Sequence, residues 1–166
     1  SQNLDEFFQV RVAALKDQLE KVQGEALTDP LTNLRNRRGF ERAAATLLAS
    51  RPEGLAGCAL IMADIDHFKR VNDNYGHLLG DQVIRAVAQI LHSNIKGRDI
   101  AARLGGEEFA ILLPDTDLRA AITLAEQIRS AVGRGRLQTK LLIQALDNTA
   151  RLSCFVPKHE PAVEYE

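Results

Sequence analysis

Apolar residues near the N-terminus recur in steps of three and four, which is the period of an α-helix with one apolar face. They are Phe8, Val12, Leu15, Leu19, Val22 and Ala26. Residues 1–27 are therefore expected to form one helix, which either pairs as a short coiled coil or folds back on its own domain as an amphipathic helix. The next residues, Thr28-Asp29-Pro30, predict the start of a second helix, because Thr or Asp can cap a helix and Pro is accepted at its first position.

The middle of the chain alternates between helical periods and short apolar runs. A helix is expected over residues 37–50. The continuous apolar run at 58–63 is typical of a buried central strand, which we expect to end at Asp64. Helical spacing of apolar residues returns at 80–95 and again at 117–132.

A β-hairpin is predicted between the last two of these helices. Two short apolar runs, 100–104 and 109–113, flank the sequence Gly-Gly-Glu-Glu, and a glycine pair between such runs is typical of a tight turn. The hairpin would present Glu107 and Glu108 at its tip. The order strand, helix, hairpin, helix predicts an α+β domain with a mainly antiparallel central sheet flanked by helices and preceded by the N-terminal helix.

Length, charge and cysteine content narrow the class of protein. The 166 residues include 21 basic and 22 acidic side chains, so no general electrostatic attraction to nucleic acid or to an anionic membrane is expected. This length suits one domain, at 28–166, after a linker helix at 1–27. Cys58 and Cys154 have neither metal-ligand nor disulfide-framework spacing, which favours reduced thiols in the cytoplasm. No membrane-spanning run or signal peptide is evident, although a parent protein could be membrane-attached.

Three carboxylates stand at positions that favour a metal and nucleotide site. Asp64 follows the predicted central strand, and Glu107 and Glu108 occupy the predicted hairpin tip. Carboxylate oxygens are hard ligands, which Mg²⁺ and Mn²⁺ prefer together with nucleotide phosphates. The plainer alternative is that Glu107 and Glu108 are solvated turn residues.

The segment 64–81 resembles the signature of the GGDEF family of diguanylate cyclases. In that family Asp-x-Asp-x-Phe-Lys, Asn-Asp, Gly-His and Gly-Asp recur in the order seen here, and the Gly-Gly-Glu-Glu-Phe motif follows at 105–109. The segment 29–38, Asp-Pro-Leu-Thr-Asn-Leu-Arg-Asn-Arg-Arg, is similar to the N-terminal signature of the family. The resemblance covers residues 26–135 and implies a nucleotidyl-cyclase or palm-like fold.

The resemblance also implies a reaction. Two GTP molecules would condense to cyclic di-GMP and two pyrophosphates by two-metal nucleotidyl transfer, with two Mg²⁺ or Mn²⁺ ions per active site. Each chain would bind one GTP, so the catalytic unit would be a transient, antiparallel homodimer. The implied metal ligands are Asp64, the backbone carbonyl of Ile65 and Glu107, which would also assist deprotonation, with Glu108 as a further acidic member. An upstream sensory or receiver domain is expected in the parent protein.

The implied nucleotide contacts form two sets. A carboxylate can accept hydrogen bonds from N1–H and the 2-amino group of guanine, and a side-chain amide can serve O6 or N3. Adenine lacks that donor edge. The implied guanine residues are Asn72, Asp81, Leu31 and Ile84, and the implied phosphate contacts are the amides of His67 and Phe68 and the ammonium of Lys69.

Plainer roles stay open for most of these residues. Asn72 could belong to a turn or cap, Asp81 could be a helix N-cap after Gly80, and Lys69 could be solvated. Leu31 and Ile84 could be ordinary core residues. The side chains of Asp66, His67, Asp73 and His77 are expected to be structural.

Two departures from the family pattern bear on function. Many relatives have Arg-x-x-Asp as a product-inhibition site, where this chain has Lys96-Gly97-Arg98-Asp99. Lysine lacks the bidentate fork of arginine, so feedback inhibition is expected to be weak or absent, with Arg98 and Asp99 as a remnant.

Residues 136–166 are divergent. The segment 152–156 replaces a Ser-x-Gly strand, and the phosphate-binding helix that follows in relatives is missing. The alternatives to a cyclase are therefore an inactive module that binds GTP or cyclic di-GMP, or a dimerising scaffold.

Overall fold

The computed structural model describes residues 2–134, 139–146 and 163–165. The described elements begin with an N-terminal helix and continue as a sheet with helices on its faces. In chain order they are α1 (Gln2–Glu25), α2 (Arg37–Ala49), β1 (Ala59–Ile65), α3 (Phe68–Asn94), β2 (Ile100–Gly105), β3 (Glu108–Leu113), α4 (Leu118–Arg134), β4 (Thr139–Ala145) and β5 (Val163–Tyr165).

The sheet has the strand order β2-β3-β1-β4-β5, with β1 in the middle. All four strand pairs are antiparallel, which confirms the predicted α+β fold with a mainly antiparallel sheet. Successive side chains of a strand point to opposite faces. Accordingly Ile61 and Ala63 of β1 pack with apolar residues of α3 and α4, whereas Leu60 packs with Phe40 of α2 on the other face. Burial on both faces explains the continuous apolar run of this strand.

Two boundaries differ from the prediction. Strand β1 continues to Ile65, so Asp64 lies within the strand, because its backbone still pairs with both neighbouring strands. The predicted helix start at Thr28-Asp29-Pro30 is wrong. Asp29 instead accepts hydrogen bonds from the backbone N–H and hydroxyl of Thr32, which closes a turn, and Asn36 caps α2 by accepting from the backbone N–H of Gly39 at 2.8 Å.

Strand β4 was not predicted, because it falls in the segment that departs from the family pattern. It lies beside β1 on the side away from β3, and Leu141 and Ile143 are fully buried. Residues 147–162, which include the segment 152–156 and Cys154, lie outside the described residues.

Helix α1 exposes the apolar side chains that define its periodicity. Phe8, Leu15 and Val22 are each more than half exposed. These side chains are therefore not buried against the domain that follows, and pairing with a second helix stays a prediction. No helix among the described residues is both long and apolar enough to cross a membrane.

Helix α3 is bent at Gly76, which has φ 83° and ψ 167° inside an otherwise helical segment. This backbone conformation is essentially restricted to glycine. The helix starts at Phe68, well before the predicted segment 80–95, and the bend sets the direction of its first part.

We expect Gly76→Ala to reduce the free energy of unfolding by about 1–3 kcal/mol, because alanine is strained at this φ and ψ. Space is not the cause, since beyond the adjoining backbone no atom of the described residues lies within 4 Å of a Cβ built at this position. Urea unfolding would measure the loss. The matched control is Gly133→Ala near the end of α4, where there is also free space but no positive φ, so a change below about 1 kcal/mol is expected. Equal stability of Gly76→Ala and wild type would contradict the prediction.

Candidate functional site

The three candidate acidic residues come together where β1 meets the β2–β3 hairpin. Asp64 and Glu108 are direct partners in the antiparallel pairing of β1 with β3, an arrangement that places Cβ atoms about 4.5–5.5 Å apart. Glu107 lies in the turn just before β3, and its carbonyl oxygen accepts a hydrogen bond from the backbone N–H of Ile65 at 3.3 Å. The hairpin tip is thus attached to the last residue of the central strand. This brings Asp64, Ile65, Glu107 and Glu108 together at one end of the strands, near the middle of the sheet.

The oxygen ligands at this end of the strands suit a divalent cation that binds together with a nucleotide. Within the described part of the chain, no group of three or more His, Cys, Asp or Glu side chains is arranged to hold a metal ion. A complete protein cage is therefore not formed there. Mg²⁺ is commonly held by one or two carboxylates, with waters and substrate phosphates completing the coordination. Oxygen donors from Asp64 and Glu107 and the Ile65 carbonyl fit that kind of site.

Arg103 anchors the hairpin tip, and sequence reasoning missed it. Its guanidinium donates from Nε and Nη2 to the carbonyl oxygen of Gly106, at 3.0 and 2.9 Å. The same group pairs with Asp29 at 3.2 Å, and both side chains are mostly buried. The planar fork of arginine makes these contacts simultaneous. Arg103 also donates its backbone N–H to the carbonyl oxygen of Arg35 at 2.8 Å, so the turn before α2 is attached to the same strand.

The candidate phosphate contacts lie at the start of α3, two residues after β1. His67 adopts a left-handed conformation, with φ 57°, and its side chain makes no capping hydrogen bond. The first backbone N–H groups of a helix lack partners within the helix and favour anions. The amides of His67 and Phe68 are therefore suited to phosphate, and the side chain of Lys69 is exposed beside them.

The candidate guanine residues lie on both sides of the bend in α3. Asn72 precedes Gly76 and is half-buried, whereas Asp81 follows it and is exposed. The bend brings Asn72 against Gly80, the neighbour of Asp81, because a Cβ built on Gly80 would lie 1.9 Å from Oδ1 of Asn72. Asn72 therefore contacts the residue that directly precedes Asp81.

The two apolar guanine candidates are placed differently. Ile84 is only 1% exposed and belongs to the core between the sheet, α3 and α4. Leu31 packs against that core and also lines a cavity of about 320 Å³ together with Leu34 and Arg85. Asn72 and Asp81 do not line that cavity, so the structure does not join Leu31 to them in one pocket.

The segment predicted to be a remnant of an inhibitory site, residues 96–99, is a short turn between α3 and β2. Asp99 accepts a hydrogen bond from the backbone N–H of Lys96 at 2.9 Å. Arg98 pairs with Asp115 at 2.7 Å. Asp115 also accepts a hydrogen bond from Arg51, which is the main cause that lowers the pKa of its carboxyl group. Both charged residues of the remnant are thus engaged with neighbouring groups, and a ligand would have to compete for them.

Known sequences similar to this chain include diguanylate cyclases. The family described as "Diguanylate cyclase, GGDEF domain" matches residues 26–160. Diguanylate cyclase VdcA of Vibrio cholerae serotype O1 is 47% identical over 123 residues, which are 74% of this chain and 35% of that protein. Probable diguanylate cyclase DgcT of Escherichia coli K12 is 48% identical over 106 residues, which are 64% of this chain and 23% of that protein.

Solved structures agree with this relationship. Diguanylate cyclase SiaD from Pseudomonas aeruginosa, in complex with its activator SiaC, is similar with a TM-score of 0.70 and 30% identity, over 93% of this chain and 64% of that one. The coiled coil and GGDEF domain of DgcB from Caulobacter crescentus, in complex with c-di-GMP, has a TM-score of 0.65 and 33% identity, over 81% of this chain and 77% of that one.

The chain spans about a third or less of the length of the curated relatives VdcA and DgcT. The match to the family nevertheless includes the turn before α2, the central strand, the bent helix and the hairpin. This chain therefore belongs to the GGDEF-domain family of diguanylate cyclases.

Proposed function

We propose that this chain is a diguanylate cyclase that condenses two GTP molecules into cyclic di-GMP and two pyrophosphates. The observation that carries the proposal is the junction of β1 with the hairpin, where Asp64 pairs with Glu108 and the carbonyl of Glu107 bonds to Ile65. This junction presents oxygen ligands close to the backbone N–H groups at the start of α3. Such a combination suits a metal-bound triphosphate.

In the proposed mechanism, the 3′-oxygen of one GTP forms a bond to the α-phosphorus of the other, and the bond between that phosphorus and the bridging oxygen breaks to release pyrophosphate. A second such step closes the ring. Glu107 accepts the proton of the attacking hydroxyl, either directly or through water. The amides of His67 and Phe68 and the ammonium of Lys69 hold the phosphates in line, and Asn72 and Asp81 orient the base.

Asp64, Glu107 and the carbonyl of Ile65 would hold the divalent cations, with Glu108 as the further carboxylate. Bound Mg²⁺ or Mn²⁺ would supply charge neutralisation at the α-phosphate and lower the pKa of the hydroxyl. Two ions per site is the arrangement expected for in-line transfer between two oxygens.

Because one chain offers one GTP site, the reaction requires two chains with facing sites. We infer a transient, antiparallel homodimer, and the exposed apolar face of α1 would raise the local concentration of two domains by pairing. A signal from a preceding sensory or receiver domain would reach the cyclase through that helix. The GTP pool of the cytoplasm would supply the substrate.

The proposal predicts the kinetic order of the reaction. Purified chain incubated with GTP and Mg²⁺ should release cyclic di-GMP and pyrophosphate, and the rate should rise faster than linearly with protein concentration. Chromatography of the products at several protein concentrations measures both quantities. A strictly linear dependence would contradict a homodimer that forms transiently over these protein concentrations, and the absence of product would contradict the cyclase.

The second candidate is a module that binds GTP or cyclic di-GMP without catalysis. It is favoured by the sequence of residues 136–166, which departs from the family pattern. Calorimetry with GTP, combined with a pyrophosphate assay, separates the two. The module binds GTP and releases no pyrophosphate.

A further inference from the structure

Gly80 leaves a space near the bend of α3, and the side chain of Asn72 fills this space. A Cβ built on Gly80 would lie 1.9 Å from Oδ1 and 3.0 Å from Cγ of Asn72. Atoms that are not bonded to each other do not approach to 1.9 Å. Any side chain at position 80 would therefore displace the amide group of Asn72.

The backbone itself does not require glycine at this position. Gly76 has a positive φ, but Gly80 does not, so an L-amino acid could adopt the same conformation. In the interior of a helix, glycine is less favourable than alanine. Gly80 is also buried, where a methyl group would otherwise add apolar contact. The glycine is thus unfavourable for the helix unless the space it leaves has a use.

We propose that Gly80 is a positioning residue for guanine recognition. Its bare backbone lets Asn72 hold its amide group against the second part of α3, next to Asp81. This inference rests on the proposed function, in which Asn72 and Asp81 read the base. A residue with a side chain at position 80 would turn the Asn72 amide away from Asp81 and would weaken the preference for guanine.

The surroundings decide which group moves when a methyl group is added. Cζ of Phe68 lies 3.3 Å from the same Cβ position, and Phe68 packs against the apolar core, so the methyl group cannot move away on that side. Asn72 is half-buried and contacts the position with the end of its side chain. Rotation of that side chain relieves the contact at little cost to the fold. The expected defect is therefore in base recognition and not in stability.

The test uses two nucleotides that bind but cannot be cyclised, 3′-deoxy-GTP and 3′-deoxy-ATP, with Mg²⁺ and the full chain. Calorimetry should show tighter binding of 3′-deoxy-GTP to wild type. Gly80→Ala should bind 3′-deoxy-GTP about tenfold more weakly, as expected for the loss of a base hydrogen bond, and should bind 3′-deoxy-ATP as wild type does. Its thermal midpoint should match that of wild type. In the cyclase assay KM for GTP should rise more than kcat falls.

Two further variants separate positioning from packing. The double variant Gly80→Ala with Asn72→Ala should bind 3′-deoxy-GTP no more weakly than Asn72→Ala alone, because the two changes remove the same contact. Gly133→Ala should bind as wild type. If Gly80→Ala is unstable, the double variant should recover the thermal midpoint, and failure to recover it would overturn the inference.

The outcomes distinguish this inference from the proposed function. Normal binding of 3′-deoxy-GTP by Gly80→Ala, with weak binding by Asn72→Ala, would overturn the role of Gly80 and leave guanine recognition by Asn72 intact. Equal affinity of wild type for the two nucleotides would overturn the proposed guanine site, and the role of Gly80 with it.

Discussion

Glu107→Gln should lower the rate of cyclic di-GMP formation by at least about a hundredfold, because the amide can neither accept a proton from the 3′-hydroxyl nor supply a charged metal ligand. The fold should be unaffected. The bond that attaches the tip to β1 uses the backbone carbonyl of Glu107 and not its side chain. Initial rates of pyrophosphate release at saturating GTP and Mg²⁺ measure the loss, and thermal unfolding reports on the fold.

A matched control for Glu107→Gln is Asp73→Asn. This change also replaces a carboxylate by its amide, at an exposed position of α3 outside the proposed site. Its rate should stay close to that of wild type. If Glu107→Gln retained wild-type turnover, the assignment of Glu107 would be wrong. If both variants lost activity equally, net charge would be the cause and not the chemistry at the tip.

Phe109→Ala should reduce the free energy of unfolding by about 3–5 kcal/mol, the usual cost of removing a buried aromatic side chain. Phe109 is 0% exposed and pairs in register with Ala63 of β1 and Arg103 of β2. A loss of this size is a large part of the roughly 5–15 kcal/mol that stabilises a typical domain. Urea unfolding followed by far-UV circular dichroism measures it.

The same substitution at an exposed phenylalanine provides the comparison. Phe7 of α1 is 60% exposed, so Phe7→Ala should change the free energy of unfolding of the domain by no more than about 0.5 kcal/mol. Losses of equal size in the two variants would show that Phe109 does not act through burial. The position of Phe109, directly after Glu108, also means that its loss should reduce catalysis at temperatures where the fold still persists.

Much of the sheet could be predicted, because each predicted strand has a clear local signal. The apolar run at 58–63 is buried on both faces in the structure, and the glycine pair does mark the turn between β2 and β3. Glu107 lies in this turn as predicted, whereas Glu108 is the first residue of β3 and not a residue of the tip. Local pattern is reliable here because burial and turn geometry act within a few residues of the chain.

The features that were missed depend on contacts between distant segments. The first part of α3, over 68–75, carries mostly exposed side chains, so it has no apolar period to detect. The pairing of Arg103 with Asp29 joins residues 74 positions apart, and an isolated arginine before a glycine pair gives no indication of it. Strand β4 is buried by β1 and α4, which the segment itself cannot reveal.

The two halves of the proposed site are attached to the fold in different ways. Asp64 stands on the middle strand, where hydrogen bonds from β3 and β4 hold it on both sides. Asn72 lies in the first part of α3, residues 68–75, whose direction depends on the conformation of Gly76. The proposed phosphate contacts at His67, Phe68 and Lys69 lie at the start of the same part of α3, whereas Asp81 lies beyond the bend. In the proposed site, a change in the conformation of Gly76 would therefore move Asp81 relative to Asn72 and the phosphate contacts, while Asp64 keeps its place in the sheet.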